Sequence, residues 1–299
     1  MSEQSIVAGP GGRDAVTDHG GGGLIAGLPM YDWPEVSSDI DALWTRIARE
    51  VTVRGLDAPI GLTRTDHLET LWRDPRMIVG QVCSLNPVRD GLGETEVLGT
   101  LVYDPPLDLP QPEPGSYYSV VVCRRDDSRR THVGHGSATD DVLAFAGATF
   151  AANGTDSQSG YWSLGNFVRE IADAPVFGPV LFTGAHRASI QAVASGAADL
   201  AAIDVHSWRL ALEHESHATD QLAVIGTTEP TPGVVCVVAW ELAQHRALLD
   251  DALATAVDSL LGTPVAERLH ISGYRARELE EFDVVADRVE AAARRSWHR

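Results

Sequence analysis

From Ala148 to Ile225, short apolar runs alternate with amphipathic segments at a spacing that leaves little choice of fold. Ala148–Ala152, Val180–Phe182, Leu200–Ile203 and Leu222–Ile225 read as strands, and residues 160–173, 186–195 and 205–214 as the helices between them. Strands alternating with helices this closely build a mostly parallel sheet with helices on both faces. The fold class expected is therefore α/β.

A second block precedes this one. Ile40, Leu43, Trp44, Ile47 and Val51 recur at helical spacing, which predicts a helix over 39–53 with Ser37 or Ser38 as its cap. A short helix runs from Asp66 to Trp72 and ends before Pro75. Met77–Val82 and Glu96–Tyr103 read as strands. Pro105, Pro106, Pro110, Pro112 and Pro114 exclude regular structure from Asp104 to Gly115. Tyr117–Arg124 reads as one long strand, Asp126–Thr139 as a polar loop, Val234–Ala239 as a strand, and 241–261 and 276–296 as closing helices.

The segment after 234 has too few strands for a third block, so its economical place is back on the first. This predicts one lobe from 24–117 plus 234–299 and a second from 122–228, after a disordered Gly-rich tail over 1–23. Two crossings, near 117–122 and 228–234, then join the lobes around a cleft. Ligands bind in such clefts, and hinge closure is the motion that goes with them.

Composition removes several chemistries. All 23 basic residues are Arg, so a Schiff-base lysine and a lysine P-loop are excluded. The 42 acidic residues set the net charge at −19, which argues against nucleic acid as a partner. No run of about 18 apolar residues exists, so no membrane insertion is expected. Cys83, Cys123 and Cys236 are far apart in apolar runs and read as buried thiols rather than a disulfide or metal site. The first 23 residues lack a basic region, an apolar core and a lipid-accepting Cys. The sequence as written is therefore expected in the cytoplasm, or outside it if a leader has been removed.

Two strand-to-helix junctions carry the chemistry. At Asn153-Gly154-Thr155-Asp156-Ser157-Gln158-Ser159-Gly160, unpaired N–H groups, two hydroxyls and a side-chain-free Gly160 make a cradle for an anion. At Thr183-Gly184-Ala185-His186-Arg187-Ala188-Ser189, His186 sits in the first turn of the next helix, at the sheet edge where ligands lie. Asp204 follows the strand Leu200–Ile203, where it either caps a helix or pairs with a proton or ammonium of a ligand. His214-Glu215-Ser216-His217 is one residue short of the zinc pattern H-E-x-x-H, and His132 and His135 read as solvated loop residues. No metal and no cofactor is called for. Trp33, Trp44 and Trp72 read as core or cleft wall.

These residues resemble a known family. Leu28-Pro-Met-Tyr-Asp-Trp-Pro34, Gly80-Gln-Val-Cys83, Ser157-Gln-Ser-Gly160, Thr183–Ser189 and Gly196-x-x-Asp199-x-Ala-x-Ile-Asp204 are similar to the PhnD-like phosphate, phosphite and phosphonate substrate-binding proteins of ABC transporters. The resemblance covers roughly residues 25–240. It implies a two-lobed type 2 periplasmic-binding-protein fold and a small anionic ligand, with an ABC permease as partner. It also implies that Ser157, Gln158, Ser159 and His186 hold the oxyanion, that Tyr31 is an aromatic wall, and that Asp204 is the site's acid. Ser84-Leu85 departs from the aromatic that relatives carry after Gly80–Cys83. No nucleophile–base pair stands out, so binding is the primary reading. The alternative is a cytoplasmic enzyme on the same scaffold, acting on a small carboxylate or phosphorylated acid with His186 and Asp204 as acid–base groups.

Overall fold

The computed structural model describes residues 23–89, 95–130, 138–171, 175–294 and 296–298. The N-terminal tail through residue 22, and His132 and His135, lie outside the described residues. In chain order the strands are β1 (Ile25–Gly27), β2 (Met77–Val82), β3 (Thr95–Tyr103), β4 (Ser116–Tyr117), β5 (Ser119–Arg124), β6 (Phe150–Ala152), β7 (Val180–Phe182), β8 (Leu200–Asp204), β9 (Leu222–Thr227), β10 (Thr231–Pro232), β11 (Val235–Ala239) and β12 (Ile271–Ala276). The helices are α1 (Ser37–Val53), α2 (Leu68–Trp72), α3 (Ala138–Leu143), α4 (Ser163–Ile171), α5 (His186–Ser195), α6 (Val205–His214), α7 (Ser216–Thr219), α8 (Arg246–Asp258), α9 (Pro264–Leu269) and α10 (Asp283–Ala293).

Two five-stranded sheets organise the molecule as two lobes. The first runs β1-β2-β11-β3-β12 and the second β7-β6-β8-β5-β9. The two crossings lie side by side, since β4 and β10 form a small antiparallel ribbon with Thr231 opposite Tyr117. Gly115 leads into that ribbon at φ +75, where a side chain would be strained and would also strike Thr100. Buried Arg277 donates to the Gly115 carbonyl at 2.6 Å and pins the crossing to the first lobe.

The cores follow from the patterning. On α1, Ile40, Leu43, Trp44, Ile47 and Val51 form a buried stripe that packs with α8, whose inward face is Leu249, Ala252, Leu253, Ala256 and Val257. Burying each of the larger side chains stabilises the lobe by about 1.5–3 kcal/mol. In the second lobe, β5 is Ser-Val-Val-Val-Cys-Arg, β-branched and buried on both faces, as a central strand requires.

The second sheet is mixed rather than mostly parallel. β6 runs parallel to β7 and β8, whereas β5 is antiparallel to β8 and β9. The reason is entry: β5 leaves the crossing and runs away from the cleft, while its neighbours run back toward it. The expected strand 117–124 is broken at Tyr118, whose hydroxyl donates to Pro110 O at 2.8 Å. The helix expected over 241–261 is a short turn followed by α8. The one expected over 276–296 is a turn at Leu279–Phe282 followed by α10, and edge strand β12 just before it was not expected. Val36, not Ser37 or Ser38, is the first helix's cap residue, and no side chain caps it.

Beyond α10 the chain reaches the second lobe. Trp297 is buried there among Phe150, Tyr161, Leu164 and Phe177, and its carbonyl accepts from Val176 N–H at 3.0 Å. The Tyr161 hydroxyl lies 2.8 Å from His298 Nε2.

Candidate functional site

β6 and β7 end side by side at the cleft, and each feeds directly into a helix start. After β6, Ser157 is the cap: its Oγ accepts from Gly160 N–H at 2.9 Å. A hydroxyl that accepts at a cap still has its own proton to donate. The first turn, Gln158–Trp162, is wider than an α turn, with Trp162 N–H donating to Ser157 O at 3.2 Å, and it passes into α4. Wide turns of this kind recur at functional sites. The N–H of Gln158 donates to Cys83 Sγ of the first lobe at 3.4 Å.

The second junction converges on the first. Gly184, at φ +83, turns the chain after β7, and α5 begins at His186. His186 Nε2 lies 2.8 Å from Ser159 Oγ. Burial pushes the imidazole down to about 4, so it is neutral at neutral pH. The pair then holds two protons, one on the ring and one on the hydroxyl, and uses one between them. The other remains available to a ligand.

Asp204 ends β8, and both its oxygens are engaged. Oδ1 accepts from His206 N–H and Ser207 N–H, each at 2.8 Å, and caps α6. Oδ2 accepts from the Tyr31 hydroxyl at 2.9 Å, across the cleft. Burial raises the Asp204 carboxyl to about 6, although the bonds it accepts oppose that rise.

The structure thus brings Ser157, Gln158, Ser159 and His186 into one cluster, and places Tyr31 and Asp204 against each other beside it. Sequence reasoning missed most of the first-lobe wall. Tyr117, on the crossing strand β4, lies 2.9 Å from Ser84 Oγ and also faces Ser159. Tyr103 and His206 pack at 4.1 Å between ring centres, with Tyr31 edge-on to both. Arg187 was passed over as well. It grips Glu35 of the first lobe through two bonds of 2.8 and 3.0 Å, and its guanidinium lies over Trp33 at 4.7 Å. The signal available for it in the sequence was position alone, one residue past His186.

The three cysteines are free and buried. Among the described residues, no group of three or more His, Cys, Asp or Glu side chains is arranged to hold a metal ion. Nor is any helix among them long and apolar enough to cross a membrane.

Against known proteins, the family model for the periplasmic substrate-binding proteins of phosphonate ABC transporters matches residues 103–282, more than half of the chain. The chain belongs to this family. The match runs from the last residue of β3 to the turn before α10 and includes both helix starts, at Gln158 and His186.

Solved structures agree on the fold. PhnD1 from Prochlorococcus marinus in complex with methylphosphonate is 13% identical, with a TM-score of 0.65 over 90% of this chain and 97% of that one. A binding component of a phosphonate ABC transporter from Pseudomonas aeruginosa is 17% identical, with a TM-score of 0.62 over 91% and 87%. A Xanthomonas citri protein bound to ATP is 14% identical, with a TM-score of 0.63 over 91% and 97%. At these identities the likeness shows the two-lobed type 2 periplasmic binding fold alone. No curated protein sequence matches the chain.

Proposed function

We propose that this protein binds a small oxyanion of the phosphate or phosphonate class between its lobes, as the substrate-binding component that serves an ABC permease outside the cytoplasm. The observation that carries the reading is the 2.8 Å approach of Ser159 Oγ to His186 Nε2. It joins two helix starts from separate strand-to-helix junctions at one point, so the positive ends of two backbone dipoles and two side-chain protons, one from Ser157 and one from the Ser159–His186 pair, share one target.

In this reading Ser157 and the Ser159–His186 pair donate to the anion's oxygens, Gln158 faces them, Tyr31 closes over the ligand from the first lobe, and Asp204 holds Tyr31. The paired crossings β4 and β10 act as the hinge. Lobe-to-lobe bonds at Tyr31–Asp204 and Glu35–Arg187 are the contacts that such closure would use. The net charge of −19 does not oppose anion binding, because charges beyond about 8–10 Å are screened at physiological salt.

Calorimetry with phosphate, phosphite, methylphosphonate and aminoethylphosphonate tests the reading. Binding of at least one, weakened by His186→Ala and Ser159→Ala, is the expected result. Absence of heat with all four, from a folded sample, overturns it.

A further inference from the structure

The cradle contains hydrogen-bonding groups that the protein itself leaves unmatched. Gln158 is 3% exposed, and its Oε1 is buried without a donor. Asn153 Oδ1 and His186 Nδ1 are also buried and unpartnered. Asn153 Oδ1 occupies the space above Gly160: a Cβ on Gly160 would lie 1.7 Å from that oxygen and 3.2 Å from His186 Cε1. Glycine at 160 is therefore what lets the amide oxygen and the imidazole meet there.

A buried acceptor with no donor is destabilising, and a ligand relieves that only by bringing a proton. Two of the unmatched atoms are amide oxygens, which accept and do not donate. The phosphoryl group of such an oxyanion is a donor only while it retains a P–OH. Inorganic phosphate as a monoanion carries two, one for each oxygen.

The charges around the cradle point the same way. Among the described residues, no Arg bonds to Asn153, Ser157, Gln158, Ser159 or His186, and the chain has no Lys. Arg187 is committed to Glu35 and Glu215. The titratable groups facing the cradle are His186, the Cys83 thiol, the Tyr31 and Tyr117 phenols, and the Asp156 and Asp204 carboxylates. None is a cation at neutral pH, so a second negative charge on the ligand has no counterpart.

We infer that the site takes its oxyanion as the singly charged, still protonated species, with the amide oxygens of Asn153 and Gln158 accepting from the ligand's P–OH. This rests on the oxyanion reading above and narrows it. The cradle selects phosphate-class monoanions and rejects sulfate, which matches phosphate in shape but has no proton to give at neutral pH.

The test is calorimetry of the full chain with inorganic phosphate from pH 7 to 9, and with sulfate at pH 7. His186, pushed down to about 4 by burial, stays neutral across that range, and Asp204, raised only to about 6, stays ionised, so the ligand is the group that titrates. Phosphate affinity is expected to fall, approaching about tenfold per pH unit once the dianion dominates in solution. Sulfate is expected to bind at least a hundredfold more weakly than phosphate. Asn153→Leu is expected to lose about tenfold or more in phosphate affinity at pH 7, whereas Asn153→Asp, which still accepts, keeps phosphate binding and the preference over sulfate.

Phosphate affinity that does not change with pH, or sulfate bound as well as phosphate, overturns the monoanion inference and leaves the oxyanion reading standing. No binding of phosphate, phosphite or phosphonate at any pH overturns both. The wild-type measurements decide even if a variant does not fold.

Discussion

Tyr31 and Asp204 stand 173 residues apart in the chain and meet across the cleft, the phenol hydroxyl donating to Asp204 Oδ2 at 2.9 Å. The other oxygen of the same carboxylate caps α6. One buried side chain therefore serves as helix cap in the second lobe and as the latch point for the first. Any ligand group that needs Asp204, such as an ammonium, has to displace Tyr31 or compete with two backbone N–H groups.

Removing the latch donor tests this arrangement. Tyr31→Phe keeps the ring contacts with Tyr103 and His206 but leaves Asp204 with one donor fewer. A hydrogen bond to a charged, buried group contributes about 1.5–3 kcal/mol. The variant is expected to lose that much in urea unfolding, and its Asp204 carboxyl should titrate higher than about 6. An unchanged unfolding midpoint would mean that the lobes do not meet at this bond in solution.

Acidification sets two buried groups against each other. Asp204 rises from 3.8 to about 6 on folding, so its contribution to stability is fully present below 3.8 and is lost as pH rises through about 6. His186 falls from 6.5 to about 4, so its contribution is present above 6.5 and is lost as pH falls through about 4. His206, also buried and lowered, acts with His186. On moving from pH 6.5 to 4, Asp204 therefore offsets part of the loss from the histidines. Asp204→Asn, which retains an oxygen for the cap, should lose stability more steeply than wild type over that range. Parallel denaturant titrations at several pH values check this, and superimposable profiles would remove Asp204 from the account.

Local features of the sequence were enough for one half of the site and not for the other. Ser157–Gly160 and His186 are each defined by a strand end, a turn and a helix start within a few residues, so their convergence on adjacent strands β6 and β7 was legible. Tyr117, Ser84 and Tyr103 come from three separate segments of the first lobe, and no local spacing links them. Asn153 was quoted as part of a turn, but its importance depends on contact with Gly160 and His186 in space. Strand β12 was hidden for a different reason. Ile-Ser-Gly-Tyr-Arg-Ala is an edge strand with no apolar alternation, and its pairing with β3 rather than a pattern of its own holds it in the sheet. The mixed second sheet was missed because the direction of β5 is set by the crossing, not by its own apolar content.

The Glu35–Arg187–Glu215 cluster is partly open to solvent, so each ion pair contributes little by itself, roughly 0.2–1 kcal/mol. Its importance lies in position, since the Glu35 bond spans the lobes and the Trp33 stack holds the guanidinium in place. Arg187→Ala should leave each lobe's fold intact and shift the ligand-free protein toward open forms. Small-angle X-ray scattering is expected to show a larger radius of gyration for the variant. Wild type in about 1 M salt, where screening acts within about 3 Å, should move the same way. Equal radii for wild type and variant at low salt would show that this bridge does not hold the lobes together.

Trp297 fastens the end of the chain to the lobe opposite most of the closing segment. The indole is 5% exposed and packs on Phe150 and Tyr161 at 5.0 and 4.9 Å between ring centres. It lies so close over Gly165 that a Cβ there would sit 2.6 Å from the ring. Tyr161 directly follows Gly160, so this anchor also braces the back of the turn at Ser157–Gly160. Truncating a buried Trp leaves a large cavity and costs about 3–5 kcal/mol. Trp297→Ala is expected to lose that much in denaturant unfolding, and Gly165→Ala to destabilise by overpacking the same contact, about 1–3 kcal/mol. Because the two changes act on one contact, the double variant should lose less than the sum of the singles. Strict additivity, or a loss below about 1 kcal/mol for Trp297→Ala, would show that the terminal segment is not seated on the second lobe in solution.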